Sequence, residues 1–491
     1  MSLNNSYEKP IVEVRGLKKY FPIKSSFFKA TIGNVKAVDG VSFAIKPGTT
    51  FGVVGESGCG KTTMGRTMLR LYPISDGEVL YRGLHFDKLT DKELRHALPK
   101  KVRRAIGKSK KSLVKYSMEN GIDLSRLSLS ELRLALPFEA IKLITSDKDV
   151  LVSYFEENGI NINKIRKASF AALRRGAMID YFEENGINVS KLGKKALNKL
   201  RPDIQIIFQD PYSSLSPRLP IGDIIGEAVV EHNIVPKEEY EDYISEVMHD
   251  CGLQEYHKDR YPHEFSGGQR QRICIARALA MKPKIVVCDE PVSALDVSIQ
   301  AQIINLLKDL QKKRGLTYIF ISHDLSVVQY ISDTVGVMYL GNMVELASKD
   351  DLFANPMHPY TKALLSAIPV PDPDVKMNRI VLEGDLPSPA NPPKGCKFHT
   401  RCAQCTERCK YEEPKFNEYE PGHFVACHLY DKNLPEFVLV EDKKTKKARK
   451  KAEKKAAKAA KVEAKRAAKA AKVEAKRAAK AAKVEAKRAG G

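Results

Sequence analysis

The run Gly55-Glu56-Ser57-Gly58-Cys59-Gly60-Lys61-Thr62 gathers three glycines, a lysine and two hydroxyls into eight residues between an apolar stretch and a helical one. Glycines let backbone N–H groups close around an anion, and a helix N-terminus behind them adds partial positive charge. In that spacing Lys61 is set to pair with the β- and γ-phosphates of a nucleotide, Thr62 to ligate Mg²⁺ and Thr63 to reach the α-phosphate. Far along the chain, Asp289-Glu290 closes the apolar run Ile285-Val286-Val287-Cys288. A carboxylate at a strand end can hold Mg²⁺ through water. Glu290, projecting differently from its neighbour, can polarise an attacking water as general base.

The elements that must carry these residues are legible from periodicity. Val41 to Ile45 alternates, Pro47-Gly48 turns, and Thr49 to Val54 reads as an apolar strand feeding the glycine loop. A helix follows from Lys61 to about Leu71, then a strand over 77–82 and another from Ile204 to Phe208. Gln269 to Met281 reads as a helix and Ile285 to Cys288 as a buried strand. Val297 to Lys312 is amphipathic, with Ile303, Ile304, Leu307 and Leu310 on one face, and Thr317 to Ser322 is the next strand. Strand and helix alternating around a glycine loop predict an α/β fold with a doubly wound, mostly parallel sheet.

Between the loop and the acidic strand lies Phe265-Ser266-Gly267-Gly268-Gln269-Arg270-Gln271-Arg272. Phosphate loop, Ser-Gly-Gly-Gln turn and acidic strand, in that order, resemble the ATP-binding subunit of an ABC transporter over most of the chain. The resemblance implies a P-loop NTPase core with an antiparallel β subdomain and a helical signature subdomain. It implies that Gly55, Ser57, Gly58, Cys59, Gly60, Lys61, Thr62 and Thr63 surround ATP, with Thr62, Gln209 and Asp289 at Mg²⁺. Ser266, Gly267, Gly268 and Gln269 would cap ATP held by a different subunit. Glu290 and His323 form the implied catalytic pair, His323 touching the γ-phosphate. Gln209 would link the site to membrane subunits, and Ser293-Ala294-Leu295-Asp296 would form a dimer contact. Tyr20, with Phe21 as the alternative, would stack on adenine.

Cys396, Cys402, Cys409 and Cys427 follow His358-Pro359-Tyr360 and Gly384-Asp385-Leu386-Pro387. This pattern resembles the C-terminal extension of the oligopeptide and dipeptide importer ATPases, where four such cysteines are similar to ligands of a [4Fe–4S] cluster. Zinc is the rival, because Cys405, His399, His423 and His428 lie close by in sequence, and unliganded thiols are the bland reading. Nine cysteines, an odd count, do not suggest a disulfide framework.

The formal net charge of +22 would suggest nucleic acid or anionic membrane. Residues 441–491 carry +15 of it and residues 99–199 carry +10, which leaves the remainder at −3. The body is near neutral and two appended segments hold the basicity. The expected order is therefore a nucleotide-binding domain in two parts, 1–98 and 200–345, interrupted by a helical insertion at 99–199. A loop-rich extension at 346–440 and a Lys/Ala-rich tail at 441–491 follow. The insertion contains Glu119-Asn120-Gly121-Ile122, Glu157-Asn158-Gly159-Ile160 and Glu184-Asn185-Gly186-Ile187, each Asn-Gly reading as a left-handed helix stop. No run approaches the roughly 18 apolar residues that cross a bilayer, nor is a signal peptide visible, so a cytoplasmic, peripheral protein is expected. The family implies a second, related ATPase, two transmembrane permeases and an extracellular peptide-binding protein as partners. The tail suits anionic lipid or RNA. The alternative reading is a soluble ABC ATPase acting on ribosomes or nucleic acid through its basic segments.

Overall fold

The computed structural model describes residues 9–24, 31–107, 113, 116, 167–368 and 379–431. Strands are numbered in chain order. One sheet is antiparallel, in the order β2-β1-β4-β5, and joins β1 (Val12–Lys24), β2 (Thr31–Ile45), β4 (Asp76–Tyr81) and β5 (Ile187–Asn188). On β1 the buried positions Val12, Val14 and Leu17 keep to one face because the pairing with β2 shifts register between Val14 and Leu17.

Among the described residues the second sheet joins eight strands, in the order β11 (Asn417–Glu420), β12 (His423–Val425), β10 (Asn342–Ser348), β9 (Thr334–Tyr339), β3 (Thr50–Val54), β8 (Thr317–Ile321), β7 (Ile285–Asp289) and β6 (Ile204–Ile207). Five of them run parallel: β9 (Thr334–Tyr339), β3 (Thr50–Val54), β8 (Thr317–Ile321), β7 (Ile285–Asp289) and β6 (Ile204–Ile207). Every residue of β3, β7 and β8 is buried, which is why they read as unbroken apolar runs. The helix Val297–Arg314 buries the expected Ile303, Ile304, Leu307 and Leu310 and stops at left-handed Gly315. A helical subdomain, Ile221–Glu231 and Tyr240–Asp250 with the helix Gly267–Leu279, shares one apolar core with β7 and β8.

The described ends of the segment 99–199 are built into the body. Ile187 pairs with Tyr81 and Asn188 with Leu80 on β4, and Leu192, Ala196, Leu197 and Leu200 join the core of the antiparallel sheet. Gly186, at φ 77°, ends the helix Lys167–Asn185 and donates its N–H to Phe182 O at 2.8 Å. The first two Asn-Gly copies and the tail at 441–491 lie outside the described residues.

The extension continues the large sheet. A hairpin of β11 (Asn417–Glu420) and β12 (His423–Val425) adds to β10 (Asn342–Ser348). Its anchor is a contact within the sheet, His423 Nε2 to Glu345 Oε1 at 2.8 Å, both side chains buried. Burial would raise the Glu345 carboxyl. His423, Thr361 and the backbone N–H groups of Met357 and His358 outweigh it and hold the carboxyl below its usual value.

Candidate active site

At the carboxyl ends of the parallel strands the chain delivers four groups to one crevice. The glycine loop leaves β3, Gln209 follows β6, Asp289-Glu290 ends β7 and His323 follows β8. That is where ligands sit in doubly wound sheets. Gly60 has φ 104°, and a Cβ there would lie 2.1 Å from Ala37 O, so the bend admits glycine alone. The helix Lys61–Met68 begins at Gly60 without a side-chain cap, which leaves its first N–H groups free to meet an anion.

Lys61 is nearly fully buried, its Nζ donating to Gly55 O at 2.7 Å and Glu56 O at 3.1 Å. Thr62 Oγ1 donates to Asp289 Oδ1 at 2.7 Å, and Arg66 Nη2 reaches Asp289 Oδ2 at 3.2 Å. Burial pushes the Asp289 carboxyl above its usual range, against the pull of Thr62 and Arg66. Arg66 was not expected from sequence, although its place one turn beyond Thr62 puts both on one helix face. Glu290 Oε2 accepts from Gln209 Nε2 at 3.0 Å and lies 3.2 Å from His323 Nδ1. A left-handed backbone at φ 47° turns Glu290 away from the Asp289 side, held by its N–H to Ile321 O. Two adjacent carboxylates thus take separate surroundings: Asp289 buried with a hydroxyl and a guanidinium, Glu290 beside an amide and an imidazole.

The other expected residues are placed as follows. Thr63 sits in the first turn of the loop helix, its carbonyl accepting from Thr67 Oγ1 at 2.6 Å, and Cys59 is a buried thiol. Tyr20 borders a cavity of about 550 Å³ with Lys36 and Asp39. Phe21 instead packs edge-on against Tyr72 at 5.5 Å. Ser266 caps its helix reciprocally with Gln269: Ser266 N–H donates to Gln269 Oε1 at 3.0 Å and Gln269 N–H to Ser266 Oγ at 3.3 Å. Gly268 packs on Ile299, where a Cβ would come within 2.5 Å of Cγ2.

Asp289 and Thr62 bring a carboxylate and a hydroxyl together, oxygen donors of the kind Mg²⁺ takes when phosphate supplies the rest, while Gln209 lies against Glu290. Cys396, Cys402, Cys409 and Cys427 are neighbours: Cys396 N–H donates to Cys409 O at 2.8 Å, and Cys396 lies near the other three thiols. Yet among the described residues no three His, Cys, Asp or Glu side chains form a group that could hold a metal. Burial pushes the Cys396 thiol up to about 12. The histidines weighed for zinc are engaged elsewhere, His399 with Cys396 O, His423 with Glu345 and His428 with Glu412 O.

Two family models match. "ABC transporter" covers residues 38–123 and 178–293, and "Oligopeptide/dipeptide transporter, C-terminal region" covers 344–409. The oligopeptide transport ATP-binding protein AppF of Bacillus subtilis is 43% identical over 425 residues, 86% of this chain and 98% of its own length. The dipeptide transport ATP-binding protein DppF of Haemophilus influenzae is 39% identical over 422 residues, 86% of this chain and 97% of its own. Among solved structures, cbiO1 of Clostridium perfringens, part of the ABC transporter complex cbiONQ, matches with a TM-score of 0.42 and 21% identity. That match covers 71% of this chain and 92% of the other.

Proposed function

This chain belongs to the ATP-binding proteins of oligopeptide and dipeptide ABC transporters, and from that premise we propose that it hydrolyses ATP to drive uptake of peptides through a separate membrane permease. The observation that carries the reading is the meeting of the glycine loop, Gln209, Asp289-Glu290 and His323 at one crevice. Among the described residues no helix is long and apolar enough to cross a membrane.

In this reading the loop N–H groups and Lys61 bind the triphosphate, with Lys61 exchanging its two loop carbonyls for phosphate oxygens. Thr62, Asp289 and Gln209 would hold Mg²⁺, whose charge would offset that of the phosphates. Glu290 takes the proton of the attacking water, while Gln209 and His323 hold its carboxylate in place. Ser266, Gly267, Gly268 and Gln269 close on ATP bound by a second, related ATPase, which makes the working unit a heterodimer on two permeases at the cytoplasmic face. An extracellular peptide-binding protein completes the assembly. The cysteine quartet would hold a [4Fe–4S] cluster, with zinc as the alternative, and the basic tail meets anionic lipid or RNA. Sequence pattern supports these last assignments.

A gentle membrane isolation with the full chain as bait is expected to recover two permeases and a sibling ATPase. Recovery of ribosomes without permeases would overturn the importer reading. Anaerobically purified protein is expected to be brown with visible absorption. Colourless protein with stoichiometric zinc would sink the iron–sulfur assignment.

A further inference from the structure

The extension does more in this molecule than continue a sheet. It grips the phosphate loop at Glu56, the residue between Gly55 and Ser57. Arg401 Nη1 lies 3.1 and 2.9 Å from the two Glu56 carboxylate oxygens, and the Arg401 side chain is only 9% exposed. Tyr360 Oη accepts the Glu56 N–H at 2.8 Å. The Glu56 carbonyl is one of the two that receive Lys61 Nζ. Glu56 is therefore held at its N–H and its carboxylate by the extension and at its carbonyl by the loop's own lysine. A carboxylate left loose in an anion-binding loop would also repel a triphosphate. The guanidinium neutralises it and draws it aside.

A second contact reaches the other end of the site. Lys397 Nζ donates to Asp39 Oδ2 at 3.0 Å and to Leu340 O at 3.3 Å, and it also meets Asn342. Asp39 Oδ1 accepts from Tyr20 Oη. Both members of the Lys397–Asp39 pair are mostly buried, at 10% and 15% exposed. Nearby, Pro389 O accepts the Lys36 N–H at 3.1 Å on the strand facing Tyr20. Tyr20, Asp39, Lys397 and Phe398 border the same cavity.

We propose that the C-terminal extension is a working part of the nucleotide site: Arg401 positions the phosphate loop through Glu56, and Lys397 positions the Tyr20 ring through Asp39, so ATP affinity is set from the extension. The proposal rests on the reading that the loop takes the triphosphate and Tyr20 the base. Arg401 and Lys397 are positioning residues, since each acts through another side chain. Because they serve opposite ends of ATP, their loss has different signatures. Arg401 governs affinity for the phosphates whatever is attached to them, and Lys397 governs the part of affinity that needs adenine.

The test uses the purified full chain, a fluorescent ATP analogue with Mg²⁺, and displacement by ATP and by inorganic tripolyphosphate. Arg401→Gln is expected to weaken both competitors roughly tenfold, as loss of a shielded charge-assisted contact does, and Arg401→Lys to recover part of it. Lys397→Met is expected to weaken ATP about fivefold and leave tripolyphosphate within about twofold. In a cycle of Arg401→Ala and Glu56→Ala the double variant should bind about as the worse single one does. The cycle also covers an Arg401 variant that folds poorly, because Glu56→Ala breaks the same pair from the core side. Lys61→Ala separates the two claims. If it binds ATP normally, the reading of the loop fails. If it loses ATP while the Arg401 variants bind both competitors as wild type does, or while Lys397→Met binds ATP as wild type does or weakens both competitors equally, the proposal about the extension is overturned.

Discussion

Replacing Glu290 with Gln removes one negative charge while keeping the side chain's shape. The carboxylate now accepts from Gln209 Nε2 at 3.0 Å and faces His323 Nδ1 at 3.2 Å. An amide can turn its Oε1 toward the same two groups, and the left-handed backbone at 290 is fixed by the N–H to Ile321 O, so the crevice keeps its form. What is lost is a group able to take a proton. A positioned general base contributes about 10²- to 10⁴-fold, so the barrier to hydrolysis should rise by about 3–5 kcal/mol. ATP affinity should stay within about threefold, because Lys61, Thr62 and Asp289 keep their contacts and each tenfold change corresponds to about 1.4 kcal/mol. The assay pairs phosphate release by the assembled complex at saturating Mg-ATP with equilibrium binding of a fluorescent ATP analogue. Hydrolysis above about a tenth of wild type, with binding intact, would refute Glu290 as the base.

Gly60→Ala should cost ATP affinity more than stability: the added Cβ would lie 2.1 Å from Ala37 O at φ 104°, and the strain of about 1–3 kcal/mol falls on the loop. Binding weakened about tenfold or more, with little change in the melting temperature, is expected; unchanged binding contradicts it. Burial holds His358 at about 4, against an ordinary 6.5. The unfolded chain therefore takes a proton that the fold refuses, and stability is complete above pH 6.5 and falls as pH drops from 6.5 toward 4. Between pH 7 and 5.5 this one group should withdraw about 1.2 kcal/mol. Urea titrations of His358→Asn, which keeps an acceptor for the Tyr360 N–H, should show a correspondingly smaller loss; an identical loss removes His358 as the cause. Ser266→Ala deletes one half of a reciprocal cap and should destabilise by about 1 kcal/mol, read from the denaturant midpoint.

The crevice was readable in sequence because its parts are local. A glycine loop carries its own geometry, and a carboxylate at the end of an apolar strand declares where that strand opens. The amphipathic face of Val297–Arg314 emerged intact for the same reason, since 3.6-residue periodicity needs no distant partner. Contacts formed across long separations left no such mark. Arg401 and Glu56 are 345 positions apart, and nothing near either residue announces the other. The buried pair of Glu345 and His423 was missed likewise; the histidine was weighed as a metal ligand because sequence shows its nearness to cysteines and not its carboxylate. The ends of the segment 99–199 read as a charged, repetitive insertion, whereas a two-residue strand at Ile187–Asn188 ties it to β4. Two residues are too short a run for periodicity to register.

The most direct test of peptide uptake powered by this crevice is accumulation of a labelled short peptide in cells that depend on this chain. Uptake is expected with the wild-type chain and its near-complete loss with Glu290→Gln or Lys61→Ala at equal protein levels. Peptide accumulation undiminished by either substitution would contradict the claim that ATP turned over here drives transport.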